Sequence, residues 1–290
     1  MKPIALSVLT AAALGVVVLL SRPPEAVPAE QPAGDPLPVP RMSVTTKDGY
    51  RFISSNGIPD HETGSFPHRR CPNAMSEQRH EFRVPLSPSP AAATTPLRMH
   101  DFGVGVNGIP FDPFAAEWWE RDRSSGWQYD PMSNAINLGL DAGNAHVQPT
   151  GAYHYHGLPR LLMAKLGGTA GKMLLVGWAA DGFPMYAETG HKTAADAKSP
   201  VVVLKSSYRL KPTDRPTGPG GPHDGSFEQD YEYAAGLGDL DECNGRTGVT
   251  PEFPGGTYYY VVTAAYPYIP RHYRGTPDPS FFRRPPKKKP

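Results

Sequence analysis

The chain is poor in cysteine: its 290 residues contain two, Cys71 and Cys243. That excludes a disulfide-dense scaffold, and the lack of any C-x-x-C pair excludes the usual zinc-ribbon and dithiol redox motifs. Net charge is equally scarce. The 29 basic residues oppose 28 acidic ones, leaving +1 with both signs interspersed. A dedicated nucleic-acid binder needs a concentrated basic face, so no nucleic-acid partner is expected. Proline-free windows are few, because 35 prolines and 30 glycines punctuate the sequence. Long helices are thereby excluded. Several enzyme signatures are missing too: there is no G-x-S-x-G elbow, no phosphate-binding glycine loop and no H-E-x-x-H. Their absence argues against serine-hydrolase and nucleotide-enzyme readings.

One long apolar run is present. Residues 4–20, "IALSVLTAAALGVVVLL", follow Lys2 in the layout of a secretory signal. Residues 1–21 are therefore expected to direct export to the periplasm, the cell surface or the medium, or to stay as an N-terminal anchor if uncleaved. Membrane contact is expected only through that segment. The Pro/Ala-rich stretch 22–41 resists helix and sheet and reads as a linker, and "RRPPKKKP" at 283–290 reads as a basic tail. Residues 42–282 remain as one folded domain, long enough for a real core. In an exported chain an even cysteine pair is most simply a disulfide, Cys71 with Cys243; two buried thiols or one thiol ligand are the alternatives.

The domain reads as mainly β, a β-rich α+β fold with short helices and long ordered loops, sandwich- or barrel-like. "KMLLVGWAA" (172–180), "VVVLKSSYRL" (201–210), "FEQDYEYAA" (227–235) and "GTYYYVVTAAY" (256–266) are rich in β-branched and aromatic residues. "AAEWWERDRS" (115–124) and "PRLLMAKLG" (159–167) are the helix candidates, the second with Pro159 near its start and Gly167 at its end. Two internal echoes stand out: "NGIP" recurs at 56–59 and 107–110, and "GAYHYHG" (151–157) aligns with "GTYYYVV" (256–262).

The second echo contains the densest chemistry. "HVQPTGAYHYHGLP" places His146, His154 and His156 within eleven positions of a chain that has 10 histidines. On a strand alternate side chains share a face, so His154 and His156 point one way and Tyr153 and Tyr155 the other. A turn through Pro149 and Gly151 folds His146 back beside them. Three imidazoles at that spacing suit a transition metal, zinc or copper, or metal-free proton transfer. Asp181, in the turn of "WAADGFPMY", is the expected fourth or supporting ligand, with His61 and the His223–Asp224 pair as loop alternatives. Asp239, Asp241, Glu242 and Asn244 form a second candidate, an oxygen-rich loop of the kind calcium uses, without the EF-hand order.

Long stretches resemble the YHYH-domain family of exported bacterial proteins. They are "SNGIPDHETGSFP" (55–67), "GVNGIPFDP" (105–113), "GWQYDPM" (126–132), "LGLDAGNAHVQPTGAYHYHGLP" (138–159), "VGWAADGFPMY" (176–186), "DGSFEQDYEY" (224–233) and "LDECNGR" (240–246). The likeness covers about residues 44–282 and implies family membership without assigning a reaction. The expected function is that of an exported metal-binding protein, acting as a metal-dependent hydrolase or redox protein. The alternatives are an interaction module that binds a glycan, a protein or a small molecule, and a calcium-stabilised scaffold.

Overall fold

Frequent glycine and proline turns keep every strand of the domain short, and the pairing of those strands sets its shape. The computed structural model describes residues 37–169 and 171–282. The expected export segment 1–21, the linker up to residue 36 and the basic tail 283–290 lie outside the described residues. Among those described, no helix is long and apolar enough to cross a membrane.

Strands β1 (Met42–Lys47), β2 (Tyr50–Ser55) and β3 (His80–Pro85) form a three-stranded antiparallel sheet. Next along the chain come β4 (Thr95–Pro96), β5 (Gly103–Gly105), β6 (Pro110–Phe111), β7 (Ala145–Val147) and β8 (Tyr153–Tyr155). Helix α1 (Arg160–Lys165) follows, running between Pro159 and a left-handed Gly167 as the sequence predicts, with Leu162 buried beneath it. The remaining strands are β9 (Leu174–Ala179), β10 (Pro184–Ala187), β11 (Thr189–His191), β12 (Val201–Val203), β13 (Tyr208–Leu210), β14 (Tyr231–Tyr233), β15 (Gly245–Gly248), β16 (Thr257–Val262) and β17 (His272–Tyr273). The stretch 115–124 gives two 3-10 turns, Trp119–Arg121 and Arg123–Ser125, in place of an α-helix.

Eight strands make the main sheet in the order β15-β16-β10-β9-β5-β6-β8-β7. The sheet is open, with β15 and β7 as its edges, so the barrel expectation gives way to a single β-rich domain around a large mixed sheet. Its pairing is symmetric about the centre. β5 and β9 are antiparallel, with Val104 opposite Trp178, and each leads into a hairpin partner, β6 or β10. β6 then pairs parallel with β8, and β10 parallel with β16. Each of those carries an antiparallel outer strand, β7 or β15.

This symmetry is an internal duplication, and it makes the sequence echo real. Asn107-Gly108-Ile109-Pro110 corresponds to Asp181-Gly182-Phe183-Pro184, two hairpin turns whose glycines take φ of 79° and 96°. Side chains rarely adopt that backbone region, which glycine enters without strain. In both turns the first side chain accepts an N–H two residues on at 3.4 Å (Ile109 to Asn107, Phe183 to Asp181) and bonds a tyrosine hydroxyl, Tyr155 or Tyr260. The outer hairpins match as well. Asp141 accepts the N–H groups of Gly143 and Ala145 and the hydroxyl of Tyr153; Asp241 accepts those of Cys243 and Gly245 and the hydroxyl of Tyr258. Asn144 and Asn244 then turn the chain with φ of 56° and 52°. Arg271 clamps the halves together, its guanidinium bonding Glu228 at 2.7 and 2.8 Å and Asp130 at 3.3 Å in the interior.

The two faces of the main sheet differ. One face, with Phe111, Tyr153, Tyr155, Met185, Tyr258 and Tyr260 among its residues, belongs to the principal core. On the other face of the second half, Tyr186, Tyr259 and Val261 join Met173, Leu204 and Leu240 in a smaller apolar cluster. The same face of the first half carries the histidines.

The Cys71–Cys243 disulfide is not formed: both cysteines are free and buried. Cys71 packs by the edge strand β7, its thiol donating to the Val147 carbonyl at 3.3 Å, whereas Cys243 precedes β15 at the opposite edge. Burial pushes the Cys243 thiol up to about 12, which keeps it protonated and inert.

Candidate metal centre

The β7–β8 hairpin assembles the centre through register alone. His146 lies directly across from His154, and His156 follows two positions along. Cross-strand partners share a face, as do residues two apart on one strand, so all three imidazoles project together. The tyrosines between them point into the principal core and fix the strand. Tyr153 donates to Asp141 at 2.7 Å, and the Tyr155 hydroxyl accepts from Asn107 at 3.0 Å while meeting His61 Nε2 at 2.6 Å.

The imidazoles meet through their Nε2 atoms. His154 Nε2 lies 2.9 Å from His156 Nε2, which lies 3.2 Å from His146 Nε2. One nitrogen from each ring falls within 4.8 Å of both others. The main chain fixes two of the tautomers. His146 Nδ1–H donates to the Leu138 carbonyl at 2.9 Å, and His154 Nδ1–H donates to the Ala152 carbonyl at 3.3 Å. A carbonyl only accepts, so in each neutral ring the proton sits on Nδ1 and Nε2 presents a lone pair. His156 Nε2 thus faces two lone pairs. Its Nδ1 is buried beside the Asp112 main chain, which favours the ring's charged form. An ion bound at about 2.0–2.1 Å would use all three lone pairs, and tetrahedral geometry then separates the nitrogens by about 3.3 Å, close to the spacing seen.

Burial also favours the neutral, ligand form of His146 and His156. His154 and His156 are each 2 % exposed. Burial drives the His156 imidazole well below its ordinary range, with the neighbouring charges of His154 and His146 adding to the effect. It lowers His146 as well, against the Leu138 carbonyl and the carboxylates of Glu117, Asp112 and Asp141. Neutral imidazoles whose far nitrogens donate to carbonyls match the way proteins orient histidine ligands.

The other sequence candidates are placed elsewhere. Asp181 does not join the imidazoles: its carboxylate accepts from Tyr260 at 2.5 Å and from the Gly275 N–H at 2.8 Å. The duplication explains why, since Asp181 corresponds to Asn107 and so serves the core face of the second half. Burial raises it to about 6. His61 contacts Tyr155, also on the core side, while His223 bonds the Thr213 carbonyl and Asp224 pairs with Arg215. The expected calcium loop is a hairpin turn. Asp239 accepts the Lys205 N–H, Asp241 holds the turn described above, and Asn244 donates to Val261 and Thr263. Among the described residues only the three histidines form a group able to hold a metal ion.

Two carboxylates that the sequence did not single out, Asp112 and Glu117, lie near enough to act on His146. Asp112 sits on the histidine face, and Glu117 leads into an open cleft of about 630 Å³ lined by Trp118, Glu120, Arg121, Arg123 and Tyr129. Glu120 and Arg121 hold left-handed backbone at φ of 53° and 61°, a strained tip for a cleft wall. The signal for Asp112 lay in the repeat: the second copy has Tyr186 in its place.

A family model described as YHYH protein matches residues 81–275. The chain belongs to the YHYH family. The matched span contains both duplicated halves and all three histidines, and the tetrapeptide Tyr153–His156 of the family's name is strand β8 with the residue that follows it. No curated protein and no solved structure matches the chain.

Proposed function

We propose that this YHYH-family chain is an exported metal-binding protein whose His146, His154 and His156 hold one transition-metal ion, zinc or copper. The observation that carries this reading is the convergence of the three Nε2 atoms, 2.9 and 3.2 Å from one ring to the next, on one buried face. Imidazole ligands suit both ions, and three protein ligands leave a coordination position open to a small molecule. With zinc such a centre supports hydrolysis, and with copper it supports electron transfer. The apolar run after Lys2 supports export.

The test is the metal content of purified protein after exposure to zinc or copper and removal of loose ions. Wild type is expected to retain one ion per chain and the His154→Ala/His156→Ala variant none. Equal content in both would refute the reading. A second reading, a module that binds a glycan or another polar small molecule, is favoured by the cleft, where Trp118 and Tyr129 lie beside Glu120, Arg121 and Arg123. On that reading the double variant keeps its ligand and Trp118→Ala loses it.

A further inference from the structure

Asp112 is a buried carboxylate, 2 % exposed, in a place where burial of charge is costly. Strand β6 brings it there. Phe111 pairs with Tyr155, their rings 5.0 Å apart on the core side, and the Asp112 N–H donates to the Tyr155 carbonyl at 2.9 Å. That bond carries the pairing one residue past β6, so the alternation of side chains turns Asp112 to the opposite face, the one carrying His154 and His156. Its carboxylate accepts the Phe114 N–H at 3.2 Å and the Gln148 amide at 3.5 Å. It lies close enough to His146 to favour that ring's charged form.

The duplicated half shows what the fold itself requires at these positions. Asp112, His146, His154 and His156 correspond to Tyr186, Arg246, Tyr259 and Val261. In the second half Tyr186, Tyr259 and Val261 pack in an apolar cluster, and Arg246 closes over them, donating to the Tyr259 hydroxyl at 2.7 Å and to the His191 carbonyl at 2.5 Å. The Tyr186 hydroxyl completes the arrangement by bonding Thr250 and Glu252 at the edge of the cluster. The same architecture therefore stands without any buried imidazole or carboxylate here, and the first half differs at all four positions together.

Resting on the metal reading above, we infer that Asp112 is the fourth functional residue of the centre, a carboxylate that balances the ion's charge from the neighbouring strand. Three neutral imidazoles leave a divalent ion its full double charge in a buried site, and a nearby carboxylate offsets part of it. Asp112 stands outside the group of mutually close ligand atoms, so it would act on a bound ion through its charge from the same face and not as a ligand.

The test is zinc affinity of the full chain, by competition with a chromophoric chelator, for wild type and Asp112→Asn, with thermal unfolding of both metal-free forms. Loss of a supporting carboxylate weakens metal binding about 10- to 100-fold. The expected result is a loss of that size in Asp112→Asn, with a metal-free melting temperature close to that of wild type because the amide oxygen still accepts from Phe114. A residue that merely braced the Phe114 turn would instead lower the metal-free melting temperature and leave affinity unchanged. If wild type binds zinc and Asp112→Asn binds it equally well, this inference is overturned while the histidine centre stands. If wild type itself binds neither zinc nor copper, the reading of the centre falls first. Should Asp112→Asn fail to fold, Asp112→Ser, which keeps an acceptor for Phe114, reads the same affinity with the same two outcomes.

Discussion

Replacing Asp141 with alanine should loosen the hairpin that carries the histidines, and the duplication supplies the control. Asp141 accepts from Gly143 at 2.8 Å, Ala145 at 3.2 Å, Gly64 at 3.1 Å and the Tyr153 hydroxyl at 2.7 Å. Hydrogen bonds to a charged acceptor contribute about 1.5–3 kcal/mol each, but water reaches part of the turn and replaces some of them. Tyr153 is fully buried, so its hydroxyl is left without a partner at a further cost of about 1–3 kcal/mol. Asp141→Ala is therefore expected to lose about 3–5 kcal/mol, a fall in melting temperature of about 6–20 °C for a domain of this size. Asp241→Ala removes the matching bonds to Cys243, Gly245 and Tyr258, each at 3.0 Å, and should cost a similar amount. The two variants should part company in zinc binding at a temperature where both are folded: Asp141→Ala weakened, Asp241→Ala unchanged. Calorimetry and chelator competition read the two effects separately. A loss below about 1 kcal/mol in Asp141→Ala, or equal weakening of zinc binding in both, would refute the assignment of one hairpin to chemistry and the other to structure.

Acid should destabilise the protein partly through His80, which burial pushes down to about 4 from its ordinary 6.5. The folded state keeps this ring neutral while the unfolded chain protonates it, so its contribution is complete above pH 6.5 and is lost as pH falls towards 4. A gap of that width is worth about 3 kcal/mol. His80→Phe keeps the ring stacked on Phe82 and should melt with a shallower dependence on pH across that window; parallel curves would contradict the assignment. The thiols give a third prediction: denatured protein that has never met a reductant should titrate two free cysteines per chain, and the native protein should react far more slowly.

Much of the centre was legible because strand periodicity is local. The alternation in Tyr-His-Tyr-His fixes which side chains share a face, and Pro149 and Gly151 announce the turn that returns His146 to them. Asp112 was hidden for the opposite reason. It reaches the histidines through a parallel pairing between segments more than forty residues apart, just past the end of a strand of only two residues that includes a proline. Asp181 misled because an Asx-Gly turn looks alike whether it serves a core tyrosine or a metal. Only its correspondence with Asn107 separates the two, and that correspondence needs the pairing of β5 with β9. The oxygen-rich loop at 239–244 misled in the same way, since aspartates that hold backbone N–H groups and aspartates that hold calcium share a composition. The even cysteine count suggested a bridge, but the two residues belong to opposite edges of the main sheet. "VVVLKSSYRL" read as one strand and is two, β12 and β13, because Lys205–Ser207 break the pairing.

The central claim meets its most direct test in a crystal of wild-type protein grown with zinc, with data collected on both sides of the zinc absorption edge. One strong anomalous peak is expected about 2.0–2.1 Å from Nε2 of His146, His154 and His156. A zinc-saturated crystal with no peak between those three rings, or with its zinc bound elsewhere, would contradict it.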